Sequence, residues 1–96
     1  MKRFAVFLKF TDKGIAHIKE SPSRASQFVA MANKAGVKVE AQYWLLGEYD
    51  GMLILSGDSE EKITALVLQL SSLDNVRTKM CRAFNEAEFK GVVGMI

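Results

Sequence analysis

The sequence predicts an α+β fold of the ferredoxin-like kind, a βαββαβ sandwich in which a four-stranded antiparallel sheet carries two helices on one face. Three observations predict it. The hydrophobic pattern changes period in the order strand, helix, strand, strand, helix, strand, and a short terminal helix follows. The two middle strands flank a segment rich in turn residues, which is typical of a β-hairpin. The length of 96 residues fits one domain, so residues 1–96 are expected to fold as a single unit.

The first strand and the first helix are predicted in the first third of the chain. Apolar residues alternate with other residues over 3–10, as in a strand with one buried face. Residues 11–14 are typical of a turn. Ser21 followed by Pro22 indicates a helix start, because the hydroxyl of serine accepts a hydrogen bond from a free amide and proline is tolerated in the first turn. The helix is expected to end before Gly36, which suits a left-handed C-cap.

The middle of the chain predicts the hairpin. The second strand is expected over 37–46 and the third over 52–56, with a tight turn between them. Strict alternation along the second strand predicts that Tyr43 and Trp44 point to opposite faces of the sheet. The third strand is apolar on both faces, which predicts that it is covered on both sides.

The second helix, the fourth strand and the terminal helix follow in order. Asp58 is expected to cap the second helix, with Glu61 reaching back in a variant of the capping box. The fourth strand is predicted over 76–84. Residues 85–88 repeat the capping pattern and predict a short terminal helix.

Apolar residues on both faces of the first and third strands indicate self-association. The two helices cover only one face of the sheet. At about 25 cal/mol per Å² of apolar surface, leaving several such side chains in water forgoes several kcal/mol. Because a large exposed apolar patch is typical of an interface, we expect a second copy of the sheet to pack there, in a homodimer or a higher homo-oligomer.

Composition excludes several classes of partner. A net charge of +2 is too small to indicate a nucleic-acid or membrane partner. Residues 52–55 lack the stacking aromatic residues of RNA-binding domains with this fold. No segment approaches the roughly 20 apolar residues of a membrane span. Cys81 is the only cysteine, so no internal disulfide is expected, and we predict a cytoplasmic location.

Several separated segments of the chain resemble the GYD domain family. They are residues 21–24, 34–36, 46–50, 73–78 and 82–84. The resemblance spans nearly the whole chain and implies membership of the dimeric α+β barrel group, in which two ferredoxin-like sheets pack into a barrel. That group includes small monooxygenases, isomerases and haem-handling enzymes beside members without known activity. The resemblance therefore implies more about fold than about chemistry.

No motif in the sequence names a reaction, a metal site or a cofactor, and none of these is assigned. Six residues are the candidates for binding a small apolar or aromatic molecule: His17, Tyr43, Trp44, Tyr49, Asp50 and Arg82. His17 is the only histidine, and it is either a proton carrier or an ordinary surface residue. One histidine cannot build a metal site alone, so no metal is expected.

Four of the other five candidates also have structural interpretations. Tyr43 and Trp44 either line a cavity or pack, one under the helices and one at the dimer face. Tyr49 and Asp50 either contact a ligand or, in the case of Asp50, brace the hairpin through backbone amides. Arg82 belongs to a basic fourth strand that either holds an anionic group or carries solvated charges at the edge of the sheet.

The sequence leaves three functions open. The first is a sheet-to-sheet dimer that binds a small apolar or aromatic molecule without an assigned reaction. The second is a cofactor-free oxygenase or isomerase of the dimeric α+β barrel kind, with His17, Tyr49 or Asp50 as proton carriers. The third is a structural or regulatory assembly module. A walled cavity between helices and sheet favours the first two functions, and a filled core favours the third.

Overall fold

A computed structural model describes residues 1–96 and contains four strands and four helices. In chain order they are β1 (Lys2–Phe10), α1 (Asp12–Ala16), α2 (Ser21–Lys34), β2 (Lys38–Trp44), β3 (Gly51–Gly57), α3 (Glu60–Ser72), β4 (Val76–Ala83) and α4 (Glu86–Val93). A 3₁₀ turn, Ile18–Glu20, joins α1 to α2. None of the helices has both the length and the apolar character needed to cross a membrane.

The four strands form one antiparallel sheet in the order β2-β3-β1-β4. The buried core lies between this sheet and the helices α2 and α3. Its members are Phe4, Val6, Phe28, Ala32, Val37, Leu53, Leu55, Ile63, Leu66 and Val67. Both long helices therefore cover the same face, and the predicted ferredoxin-like α+β fold is confirmed, with β1 and β3 at the centre.

One residue interrupts the alternation of β2. The pairing with β3 passes from Val39 to Ala41 through a β-bulge, and Glu40 is the extra residue. The bulge places Trp44 on the face covered by the helices and Tyr43 on the opposite face. The prediction that the two rings face opposite sides is confirmed, but the strict alternation expected through residues 37–46 is wrong beyond this point.

Arg3 holds the bulge and the terminal helix together. Its Nε donates to Glu40 Oε2 at 2.9 Å, and its Nη1 donates to Glu88 Oε1 at 2.6 Å. The amide of Asn85 donates to the same Glu88 oxygen at 2.8 Å, in the capping box that the sequence predicts for α4. This backbone hydrogen bond, helped by the nearby charge of Arg3, holds the pKa of Glu88 below its ordinary value.

The starts of α2 and α3 differ from their predicted caps. Ser59, in extended conformation, caps α3, and its Oγ accepts from the amide of Lys62 at 3.2 Å, so the expected cap at Asp58 is wrong. Ser21 is the first residue of α2 and its hydroxyl does not cap the helix. That hydroxyl accepts a hydrogen bond from Trp44 instead.

The hairpin between β2 and β3 is wider than predicted. Residues 45–50 separate the two strands, so the expected tight turn is wrong. Gly47 has a φ of +146°, a conformation that side-chain-bearing residues rarely adopt. The extra length brings Asp50 back against β1, where it shapes the site described next.

Candidate functional site

A cavity of about 280 Å³ lies between the sheet and the two long helices, where β1 ends and β3 begins. Its wall is mainly apolar and includes Leu8, Phe28, Met31, Leu53, Leu70 and Val76. Its polar groups include Lys13, Ser21, Arg24, Gln42, Asp50 and Asn75. An apolar wall with a few converging polar groups is the usual composition of a small-molecule site, and the volume is near the lower end of the range for such sites.

A small side chain leaves space at this end of the sandwich. Ala25 and Phe28 both line the cavity from α2, and of these two only Phe28 belongs to the core cluster. At the other end of the sheet, large side chains such as Leu55 and Ile63 are fully buried. The sandwich is therefore filled around Leu55 and Ile63 and open beside Ala25.

Trp44 closes the cavity on the side of β2. Its indole Nε1 donates to Ser21 Oγ at 3.0 Å, which joins the last residue of β2 to the first residue of α2. The side chain of Trp44 is half exposed, whereas Ser21 is buried. This contact depends on the bulge in β2, because unbroken alternation would turn the indole to the other face.

Asp50 forms the opposite rim and is tied to the backbone. Its Oδ2 accepts from the amide of Phe10 at 2.8 Å, and its own amide donates to the carbonyl of Leu8 at 2.8 Å. Its carbonyl accepts from the amide of Leu45 at 2.8 Å. Of the two interpretations of Asp50, the structural one holds in that its carboxylate accepts a backbone amide, but this amide belongs to β1 and not to the hairpin.

Asp50→Ala is expected to lower the free energy of unfolding by about 1.5–3 kcal/mol, because it removes a charged acceptor and leaves the Phe10 amide unpaired. Asp50→Asn keeps an acceptor oxygen and should lose less. Urea unfolding of both variants measures the difference. Glu48→Ala, at an exposed acid of the same loop, is the control and should leave stability unchanged. A loss in the control equal to that in Asp50→Ala would contradict the assignment.

Tyr43 completes the wall from β2, but through its backbone. It pairs with Met52, and cross-strand partners share a face, so its ring lies on the face away from the helices. Three of the six sequence candidates thus meet at the cavity, Trp44 and Asp50 by their side chains and Tyr43 by its main chain. That these residues bind a ligand stays a prediction.

The remaining three candidates lie elsewhere. His17 is exposed after α1, and its Nδ1 donates to the carbonyl of Lys13 at 3.0 Å, since a carbonyl can only accept. The ring of Tyr49 packs 5.0 Å from that of Phe7, on the face away from the helices. The guanidinium of Arg82 lies over the ring of Phe84 at 4.6 Å, at the far end of β4. None of the three candidates lines the cavity.

Arg24 is a cavity residue that the sequence reading missed. Its Nη1 donates to the carbonyl of His17 at 2.9 Å, and its Nη2 is buried without a hydrogen-bond partner among the groups of the protein. The sequence does contain a pattern that places Arg24 at the cavity, because Ser21, Arg24 and Phe28 are spaced to share one face of a helix. The titratable side chains that line the cavity are Lys13, Arg24 and Asp50. The structure brings no three His, Cys, Asp or Glu side chains together.

The face of the sheet away from the helices, called the outer face below, is apolar at its centre. It carries Ala5, Phe7, Ala41, Tyr43, Met52, Ile54 and Cys81, with the ring of Tyr49 against Phe7. Charged residues lie on this face as well: Arg3, Lys9 and Lys38 towards its ends, and Arg77 and Lys79 on the edge strand β4, where Lys79 pairs with Phe7. All the apolar members are at least partly exposed.

Comparisons with known proteins give a family and a fold. The model of the GYD domain family matches residues 4–93. A protein of Thermus thermophilus named "Glutamine synthetase and cystathionine beta-lyase binding protein" is 28% identical over 89 residues, which are 92% of this chain and 94% of that protein. The crystal structure of FFRP-DM1 matches with a TM-score of 0.64 over 88% of this chain and 100% of that chain, at 14% identity. The structural likeness concerns the fold alone.

Proposed function

This chain belongs to the GYD domain family, and we propose that it is a small cytoplasmic protein that pairs sheet to sheet with a second copy and binds a small apolar or aromatic molecule. The observation that carries the ligand-binding role is the walled cavity of about 280 Å³ between the sheet and the helices. A filled core at this position would have favoured an assembly module without a ligand.

The composition of the cavity supports an apolar or aromatic ligand. Phe28, Met31 and Leu53 offer apolar contact area, and methionine adapts its shape to different occupants. The indole of Trp44 stands half exposed at the rim, where it can cover an aromatic ring as the ring enters. Burial of the apolar body of the ligand would supply most of the affinity, and the rim groups would orient it.

The outer face supports the sheet-to-sheet dimer. Its apolar centre includes Phe7, Met52 and Ile54 on the two central strands, with charged residues towards its ends and on the edge strand β4. This arrangement of an apolar centre and a polar rim is that of a protein interface. Packing two such faces together gives the closed barrel of the dimeric α+β barrel group, and each copy then keeps its own cavity on the helix side.

The cofactor-free oxygenase or isomerase is less well supported. Such a reaction needs a proton carrier within hydrogen-bond reach of the bound molecule. His17 and Tyr49 do not line the cavity. Asp50 does, but its Oδ2 already accepts the amide of Phe10. These positions favour binding over catalysis.

A second candidate is a role in binding other enzymes. The relative from Thermus thermophilus carries such a role in its name. The exposed apolar side chains of α4 in this chain, Phe89 and Val93, would suit a protein contact. This candidate is compatible with a ligand in the cavity, because α4 lies outside the cavity wall.

The ligand-binding proposal predicts that p-cresol or 2-naphthol binds to the protein and that Ala25→Phe, which fills the cavity, weakens binding at least about tenfold. Isothermal titration calorimetry measures both affinities. Ala30→Phe places the same ring on the exposed side of the same helix and should bind as the wild type does. If the Ala25→Phe variant unfolds at a much lower temperature than the wild type, Ala25→Leu takes its place, because leucine fills less of the cavity.

Two results would contradict this proposal. One is the absence of binding of either compound to the wild type, and the other is equal binding by the Ala25→Phe and Ala30→Phe variants. If neither compound binds to the wild type and the chain co-elutes with purified glutamine synthetase, the second candidate is supported instead.

A further inference from the structure

We propose that the molecule bound in the cavity is an organic acid with an apolar or aromatic body, whose carboxylate pairs with the guanidinium of Arg24. This inference rests on the proposed ligand-binding function and specifies the class of ligand. It begins from one atom, Arg24 Nη2, which is buried and has no partner within the protein.

One nitrogen of the Arg24 guanidinium, Nη1, has a hydrogen-bond acceptor in the protein, and the other, Nη2, has none. Nη1 donates to the carbonyl of His17 at 2.9 Å, which fixes the group at the start of α2. The nearest carboxylate oxygen, Glu20 Oε2, is 3.9 Å from Nη1, too far for a hydrogen bond, and the Glu20 side chain is 67% exposed. A buried cationic N–H group without an acceptor is costly, so the site is complementary to a ligand that brings one.

The charges of the cavity also favour an anion. Lys13 and Arg24 contribute two positive charges, and Asp50 contributes one negative charge. The ammonium of Lys13 donates to the carbonyl of Leu73 at 3.1 Å, and the carboxylate of Asp50 accepts from the amide of Phe10. Lys13 is exposed and its two other N–H groups can meet solvent, so Arg24 is the cation with a buried, unused donor. The side chains that line the cavity carry one net positive charge, and the exposed Glu20 stands 3.9 Å from Arg24 Nη1.

The geometry favours a carboxylate over a larger anion. A guanidinium presents parallel N–H groups that match a planar carboxylate. The wall next to it is apolar and the volume is small, so a compact acid with one ring fits better than a phosphate ester with its third charged oxygen.

The test compares two probes of the same shape and different charge. Isothermal titration calorimetry with 4-methylbenzoate and 4-methylbenzamide measures how much the wild type prefers the acid, and we expect a preference of at least about tenfold. Arg24→Met should reduce this ratio to near one while the amide still binds. Arg24→Lys should retain part of the preference. Arg77→Met, at an exposed arginine paired with Asp74, should leave the ratio unchanged.

The outcomes separate this inference from the function on which it rests. Equal binding of acid and amide by the wild type, or an unchanged preference in Arg24→Met, overturns the role of Arg24 and leaves the cavity as a ligand site. Binding of neither probe overturns both proposals. Tighter binding of 4-methylphenyl phosphate than of 4-methylbenzoate overturns the choice of a carboxylate. If Arg24→Met fails to fold, Arg24→Gln takes its place in the comparison.

Discussion

Gly14→Ala is expected to destabilise the protein by about 3 kcal/mol or more, a large part of the roughly 5–15 kcal/mol that holds a small domain together. A Cβ atom at Gly14 would lie 2.1 Å from the backbone oxygen of Asn75. That oxygen cannot withdraw easily, because it accepts the amide of Thr11 at 3.1 Å. The clash would force α1 away from the turn between α3 and β4.

Gly91→Ala is the matched control for this substitution. Both glycines lie in helices, but a Cβ atom at Gly91 would meet no atom within 4 Å. The added methyl group should therefore raise stability slightly, by up to about 1 kcal/mol, through the higher helix propensity of alanine. Urea unfolding of the two variants gives the comparison. Similar stabilities would contradict the close contact between α1 and Asn75.

Ile54→Glu is expected to convert the proposed dimer to a monomer. Ile54 is paired with Ala5 on one side and Ala41 on the other, so it stands among small residues at the centre of the outer face. A carboxylate buried there without a partner costs about 3–5 kcal/mol, which corresponds to more than a hundredfold in the dissociation constant. Light scattering at micromolar concentration measures the change in mass.

Leu68→Glu controls for the added charge. Leu68 is 63% exposed on α3, away from the outer face, and this variant should remain a dimer. A circular dichroism melt of each variant shows that it is folded. A wild-type monomer at micromolar concentration would disprove the sheet-to-sheet pairing, and so would a dimer that persists in a folded Ile54→Glu variant.

The fold was predictable because its signals are local. Alternation in β1 and β3, the helical stripes and the capping box at Asn85 all depend on residues within a few positions of one another. The bulge at Glu40 was not predictable, because Val39, Ala41 and Tyr43 continue the alternation of apolar residues in the sequence without an interruption. The bulged residue is held by Arg3, 37 positions away in the sequence.

The site was predictable only in part for the same reason. Trp44 and Asp50 stood out as an aromatic and an acidic residue beside the hairpin. The role of Arg24 depends on the backbone of His17 and on a buried donor that no sequence pattern reveals. The sequence predicts a turn at Gly14, whereas the structure places Gly14 in α1, in close approach to Asn75.

The bulge in β2 also has a genetic meaning. Glu40 is the extra residue between two regular pairs, Val39 with Leu55 and Ala41 with Ile54, so loss of its single codon would leave every residue from Ala41 to the end of the strand on its present side. Tyr43 would stay on the outer face and Trp44 would stay at the cavity. Related chains can therefore lose the bulge by a deletion of three nucleotides and still keep each aromatic ring on its own face of the sheet.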